Sequence, residues 1–122
     1  MTVQNTIERL AGSDRYSKAV KYGSVAYLAG ITPKEGVGDI QRQFAEVLQT
    51  ADATLAELGV DKSFILNAQI LMASLDRDYA PMNVLWSEWL KDSPKPARTT
   101  CGARLARSGV LVEVVLTVAL QG

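Results

Sequence analysis

Val110-Leu-Val-Glu-Val-Val-Leu-Thr-Val-Ala-Leu120 is the stretch that decides the fold, because it predicts a strand that is apolar on both faces. One face carries Val112, Val114, Leu116, Val118 and Leu120, and the other carries Leu111, Glu113, Val115, Thr117 and Ala119. Helices on one side of a sheet cover only one face. The second face is either covered by another copy of the chain, which predicts a homo-oligomer, or left in water with Leu111 and Val115 exposed.

Two segments before this strand have the apolar spacing of amphipathic helices. The first is predicted over residues 40–58, with Asp39 as its N-cap and Gly59 at its end. The second follows Asp78-Tyr-Ala-Pro81, where the proline suits a first helical turn, and ends before Ser93. Its apolar residues are Met82, Leu85, Trp86, Trp89 and Leu90. We interpret the two tryptophans as core residues, with ligand stacking as the alternative.

The remaining extended segments predict a sheet of six strands. Their predicted bounds are 6–10, 19–22, 25–29, 65–74, 97–105 and 110–120. Gly23-Ser24 is predicted to turn a hairpin, and Arg107-Ser-Gly109 to turn between the last two strands. The resulting order, β-β-β-α-β-α-β-β, predicts a two-layer α+β fold in a single domain over residues 1–122. In this fold a six-stranded mixed sheet has two helices packed on one face.

The composition excludes several classes of function. The 122 residues include 13 Lys and Arg, 13 Asp and Glu, and no histidine. Zero net charge argues against nucleic acid and membrane partners, and the lack of imidazole excludes Ser-His-Asp triads, Cys-His pairs and histidine metal sites. With Cys101 as its one thiol, the chain forms neither an internal disulfide nor a thiolate zinc site. No signal peptide or long apolar run is apparent, so we expect a cytoplasmic protein.

Glu113 and Arg98 are the first candidates for chemistry. Glu113 is a carboxylate in an apolar strand, which makes it either a tuned acid or base or half of a structural ion pair. Arg98 begins the preceding strand and offers a planar fork of donors to a carboxylate, although such an arginine is often only solvated. If the last two strands pair directly, a residue near position 104 opposes Glu113. Arg98 and Glu113 then line one pocket only if a ligand or a neighbouring subunit spans the gap.

Several stretches follow one known pattern. They are Arg15-Tyr-Ser-Lys-Ala-Val20, Val25-Ala-Tyr-Leu-Ala-Gly30, Asp78-Tyr-Ala-Pro-Met-Asn-Val-Leu-Trp86 and Pro96-Ala-Arg98, the last followed fifteen residues later by Glu113. In these motifs, and over nearly its whole length, the chain resembles the RidA family, also called YjgF/YER057c/UK114. The resemblance implies a chorismate-mutase-like fold and a homotrimer with active sites in the clefts between subunits.

The same resemblance implies an activity and its residues. Family members hydrolyse reactive enamines and imines, such as 2-aminoacrylate, to 2-keto acids and ammonia without a metal or organic cofactor. By position, Arg98 would bind the substrate carboxylate and Glu113 would hold or activate the attacking water. Tyr16, Gly30 and Asn83 match the family's cleft tyrosine, the glycine that lets backbone approach the ligand, and the asparagine near the start of the second helix. The implied ligands are a carboxylate-bearing imine and its 2-keto acid.

The chain also departs from the family pattern. Where many members have cysteine two positions after the arginine, this chain has Thr100, which we expect to be the pocket residue. Cys101 points to the opposite face of the strand and is expected to be a small buried hydrophobe. Ala29 and Ile31 replace a serine and a glutamine, which leaves a non-catalytic, carboxylate-binding regulatory trimer as an alternative. An endoribonuclease or RNA-binding protein, as reported for some relatives, is a further alternative that the zero net charge disfavours.

Overall fold

The structure is a computed structural model that describes residues 6–121. It contains one sheet of six strands. Its strands are β1 (Glu8–Leu10), β2 (Ala19–Tyr22), β3 (Val25–Leu28), β4 (Ile65–Met72), β5 (Ala97–Gly102) and β6 (Val112–Ala119). They lie in the order β1-β2-β3-β6-β4-β5, and all neighbours are antiparallel except β4 and β5. The predicted mixed sheet of six strands is confirmed, as is the β2–β3 hairpin at Gly23-Ser24.

Two helices pack on one face of this sheet. Helix α1 (Ile40–Glu57) begins where predicted, because the Asp39 side chain accepts a hydrogen bond from the Arg42 amide at 3.0 Å. After the C-cap residue Leu58, Gly59 has the positive φ of 80° that ends many helices. Helix α2 (Leu75–Trp89) carries the chain from β4 to β5, because parallel neighbouring strands need a crossover connection.

The core lies between the helices and the sheet. Along β6, Val112, Val114, Leu116 and Val118 are no more than 1% exposed, and Phe44 of α1 and Met82 of α2 are fully buried in the same cluster. The intervening residues of β6 are only partly buried, so the predicted assignment of its two faces is confirmed. We call the side of the sheet away from the helices the open face. It contains Glu113 and Val115, and Tyr27, which pairs with Thr117, is 53% exposed there.

The prediction that β5 and β6 are neighbours is wrong. Strand β4 lies between them, paired in parallel with β5 and antiparallel with β6. The chain does turn at Arg107-Ser-Gly109, where the Val110 amide donates to the Arg107 carbonyl at 3.3 Å. However, β5 ends at Gly102, opposite the last residue of β4, because no partner strand extends beyond that point.

The prediction that Pro81 opens the second helix is also wrong. Helix α2 begins six residues earlier at Leu75, directly after β4, and contains Pro81 in its interior. Asp76 and Asp78 in the first turn favour this start, because carboxylates stabilise the positive end of the helix dipole. Proline lacks the amide that would donate to Arg77, and the helix tolerates this loss. No helix within residues 6–121 is both long and apolar enough to cross a membrane.

Candidate functional site

Glu113 extends from the open face of β6 toward the end of β3. Just beyond β3, the chain at Ile31 bridges to Val114 through two backbone hydrogen bonds of 2.7 and 3.0 Å. This bridge brings Gly30 against the Glu113 side chain. A Cβ atom built on Gly30 would lie 1.8 Å from Glu113 Oε2, so only glycine leaves room for the carboxylate in this position.

A cavity of about 490 Å³ opens beside this carboxylate. Its lining combines the predicted site residues Tyr16, Gly30 and Glu113 with two arginines, one threonine and four apolar residues, namely Arg15, Arg107, Thr32, Ala29, Leu105, Ala106 and Val110. Tyr16 is 60% exposed and lies at the solvent side. The structure therefore brings three of the six predicted site residues to one cavity, which we call the Glu113 cavity.

The wall of the Glu113 cavity is held in place by side-chain hydrogen bonds. The Arg107 guanidinium donates to the Lys34 carbonyl at 2.8 Å and to Thr32 Oγ1 at 3.0 Å, which ties the residues after β5 to those after β3. Gln43, 1% exposed on α1, donates to the Gly109 carbonyl at 2.9 Å and accepts from the Leu111 amide at 2.8 Å. These bonds pin both loops to the helix layer and hold the start of β6 in place.

Arg98 lies in a different environment, between β5 and α2. Its Nη1 donates to Asn83 Oδ1 at 2.8 Å, and its Nη2 lies 3.4 Å from the hydroxyl of Tyr79. The guanidinium carbon is 5.9 Å from the ring centroid of Tyr79 and 5.7 Å from that of Trp86, within the range of cation–π attraction. We call Tyr79, Asn83 and Trp86 the Arg98 cradle; it brings together the predicted site residues Arg98 and Asn83.

The cradle is anchored in the protein core. Trp86 is 8% exposed and packs on Trp89 with ring centroids 5.6 Å apart. Trp89 in turn donates from Nε1 to the carboxylate of Asp52 on α1, at 3.2 Å to each oxygen. Trp86 is a core residue, as predicted, whereas Trp89 is only partly buried against the core. Trp86 also contacts the arginine, a role that its apolar spacing did not reveal.

Arg98 and Glu113 lie on opposite faces of the sheet. Arg98 pairs with Ala68, which pairs with Leu116 on the helix face, whereas Glu113 pairs with Leu71 on the open face. Two strand spacings and three residue rises separate the two Cα atoms by roughly 14 Å. Within one chain, the arginine and the carboxylate therefore do not face the same small ligand.

Thr100 and Cys101 occupy the two faces of β5, as the alternation of a strand requires. Thr100 pairs with the buried Ile70 on the helix face, and its Oγ1 is buried without a hydrogen-bond partner among the described residues. Cys101 pairs with Leu71 on the open face and is exposed. The expectation that Cys101 is buried is wrong, because β5 is an edge strand whose open face no helix covers.

Sequence reasoning missed Tyr79 as a neighbour of Arg98. The signal was present, because Tyr79, Asn83 and Trp86 follow the four- and three-residue steps that place side chains on one helix face. Reading Pro81 as the start of the helix hid it, since Tyr79 then fell outside the helix. No group of three His, Cys, Asp or Glu side chains within residues 6–121 is arranged to hold a metal ion.

Comparison with known proteins gives one consistent family. Residues 6–120 match the family model described as endoribonuclease L-PSP. A RutC family protein of Haemophilus ducreyi is 37% identical over 115 residues, covering 94% of this chain and 97% of the relative. A RutC family protein of Haemophilus influenzae is 38% identical over 112 residues, covering 91% of this chain and 96% of the relative.

Solved structures agree with the sequence matches. A member of the YjgF protein family from Neisseria meningitidis superposes with a TM-score of 0.87 at 36% identity, covering 96% of this chain and 97% of that chain. Yeast Mmf1, at 22% identity and a TM-score of 0.85, shares the fold and covers 93% of this chain and 98% of its own. The family resemblance is thus confirmed, with its chorismate-mutase-like fold, and the chain belongs to the YjgF/RutC family that the endoribonuclease L-PSP model describes.

Proposed function

We propose that this protein hydrolyses small imines and enamines that carry a carboxylate, releasing a 2-keto acid and ammonia. The proposal rests on one observation, which is that Arg98 has only neutral hydrogen-bond partners among the described residues. Its partners in the described chain are the neutral Asn83 and Tyr79, and no carboxylate among residues 6–121 forms a salt bridge with it. A partly buried guanidinium held by neutral groups retains its charge and further N–H donors for an anionic ligand.

A complete site in this proposal needs two protomers. Because Arg98 and Glu113 face opposite sides of the sheet in one chain, the ligand's carboxylate and reacting carbon would lie between Arg98 of one protomer and Glu113 of its partner. The partly exposed apolar side chains on the open face, such as Tyr27 and Val115, favour burial against another copy. We propose a homotrimer, the assembly that the family resemblance implies.

The reaction requires the protein to bind the anionic substrate, position a water molecule and transfer protons. An enamine such as 2-aminoacrylate first gains a proton on carbon and gives up one from nitrogen to become the imine. The water oxygen then bonds to the imine carbon while the Glu113 carboxylate accepts a proton from that water and passes it to the imine nitrogen. In the resulting carbinolamine the hydroxyl proton is transferred to nitrogen, the C–N bond breaks to release ammonia, and the C=O bond forms. No electrons are exchanged with a third molecule, and such general acid–base steps contribute about 10² to 10⁴ in rate.

The proposal is tested with imines made in situ by an amino-acid oxidase. The wild-type protein should accelerate formation of 2-keto acid and ammonia beyond the spontaneous rate. We expect Arg98→Ala to lower kcat/KM about 100-fold or more, because the carboxylate loses a charge-assisted pair of hydrogen bonds. Arg9→Ala is a matched control, since Arg9 is an exposed arginine on the edge strand β1. Unchanged activity in a folded Arg98→Ala protein would exclude Arg98 as the carboxylate-binding residue.

One observation favours a second candidate, a carboxylate-binding regulatory trimer without turnover. Ala29 lines the Glu113 cavity, where many relatives would place a hydroxyl, and Ile31 is buried in the core rather than in this cavity. Fewer polar groups therefore surround Glu113 than the family pattern supplies. Stabilisation by 2-keto acids without any acceleration of imine hydrolysis would favour this candidate over the enzyme.

Assays of RNA binding and cleavage test a third candidate, a ribonuclease, which is the activity in the name of the family model. An RNA-binding site built from phosphate contacts shows an affinity that falls steeply with salt. With equal numbers of acidic and basic residues, we expect no measurable RNA binding at low salt and no cleavage. Salt-sensitive binding together with cleavage would favour the ribonuclease.

A further inference from the structure

Tyr79 contacts the proposed carboxylate-binding group, Arg98, from the solvent side. Tyr79 is 42% exposed, whereas Trp86, the other aromatic residue of the cradle, is 8% exposed. The guanidinium thus has a fixed, buried aromatic neighbour and an accessible one. Of the three cradle residues, Tyr79 is the one best placed to touch both Arg98 and a molecule arriving from solvent.

The hydroxyl of Tyr79 has hydrogen-bonding capacity that Arg98 does not use. Arg98 Nη2 lies 3.4 Å from this oxygen, and in such a contact the guanidinium donates and the hydroxyl accepts. The Tyr79 O–H therefore remains a donor. The positive guanidinium repels this hydrogen, so the O–H group points away from Arg98 and is free to donate to a ligand.

We infer that Tyr79 is a further substrate-binding residue, whose hydroxyl donates a hydrogen bond to the carboxylate held by Arg98. This inference rests on the proposed function. Asn83 supports it by fixing Nη1 at 2.8 Å, so that the orientation of the guanidinium is set before a ligand arrives. The Arg98 half of the site then presents a cation and a neutral O–H donor together, a combination suited to a carboxylate.

The substitution Tyr79→Phe isolates the hydroxyl, because it keeps the ring that packs on Arg98. We expect the Kd for pyruvate and the KM for the imine to rise about 10- to 150-fold, the range for one hydrogen bond to a charged group. We expect kcat to change less than twofold, since the contact is to the carboxylate and not to the reacting carbon. Tyr22→Phe is the matched control, because Tyr22 is an exposed tyrosine on β2, away from Arg98.

A neutral ligand separates binding from a merely structural role. Pyruvamide lacks the carboxylate charge, so Tyr79→Phe should weaken binding of pyruvate more than binding of pyruvamide. Equal loss for both ligands, or a pyruvate Kd equal to wild type, overturns the inference while leaving the role of Arg98 intact. If the wild-type protein binds no carboxylate at all, the proposed function itself fails. Thermal unfolding of each variant checks that the fold is retained.

Discussion

The Glu113 carboxylate occupies the space that a side chain at position 30 would need. A Cβ atom on Gly30 would lie 1.8 Å from Oε2 and 2.7 Å from Cδ of Glu113. Gly30 is not among the glycines with positive φ, so the requirement for glycine here is steric and not conformational. The glycine therefore sets the position of the proposed proton acceptor, which differs from the role in ligand approach that the family resemblance implied.

Gly30→Ala should displace the Glu113 side chain and lower kcat. Misplacing a catalytic group by about 1 Å costs up to 100-fold in rate, and we expect a loss of 10- to 100-fold. The pyruvate Kd should change little, because Arg98 lies elsewhere. Gly102→Ala is the matched control, since the nearest atom to its added Cβ is an ordinary 3.6 Å away. A fully active Gly30→Ala protein would show that the position of this carboxylate does not matter.

Mixing two inactive variants tests whether the site is shared between protomers. Arg98→Ala and Glu113→Gln should each be inactive as pure assemblies. In a site built from two chains, an equal mixture places the intact Arg98 of one variant against the intact Glu113 of the other. Random closed assembly should then restore about a quarter of wild-type activity.

The mixture is measured after co-expression or joint refolding, with the unmixed variants as controls. Analytical ultracentrifugation gives the number of subunits in the same samples. A site contained within one chain would show no restored activity, because every chain then lacks one of the two groups. A monomer in solution would equally contradict the shared site.

Thr100→Val should stabilise the protein if Thr100 has the same surroundings in the oligomer as in the single chain. The Thr100 Oγ1 is buried without a partner among residues 6–121, and a buried unpaired hydroxyl carries a desolvation cost. Replacing it with a methyl group of similar shape should raise the free energy of unfolding by about 1 kcal/mol. Thr99→Val, at an exposed position on the open face, should have a smaller effect.

Urea unfolding of the two threonine variants measures this difference. A loss of stability in Thr100→Val would show that the hydroxyl finds a partner in the assembled protein. If Thr100 also contacts the ligand, as we predicted, the same substitution would raise the pyruvate Kd. The two measurements therefore separate a structural hydroxyl from a binding one.

Asp61 should make a pH-dependent contribution to stability. Hydrogen bonds from the side chain and backbone of Ser63 hold the pKa of Asp61 below its ordinary value of 3.8. Because the pKa is lower in the folded state, the contribution is fully present above 3.8 and is lost as the pH falls through the folded value. The difference in Tm between wild type and Asp61→Asn should accordingly shrink on acidification from neutral pH. A difference that stays constant below pH 3.8 would contradict this account.

The sequence identified Arg98 and Glu113 as the charged groups of this site but did not predict how they are arranged. The motif Pro-Ala-Arg98 with Glu113 fifteen residues later identified the two groups, but a strand-to-strand turn at Arg107-Ser-Gly109 suggested that their strands were neighbours. The insertion of β4 between β5 and β6 comes from the parallel β4–β5 pairing. A crossover of this kind leaves no local signal in either strand.

By itself, the sequence determined the two helices, the six strands and the two faces of β6, because apolar spacing and capping residues act over a few neighbouring positions. Only the tertiary structure decided that Arg98 and Glu113 face opposite sides of the sheet, and that Cys101 is exposed. It also decided which aromatic rings contact the guanidinium. These properties depend on strand order and on the contact of α2 with Arg98, and both are set by packing between residues that are distant in the chain.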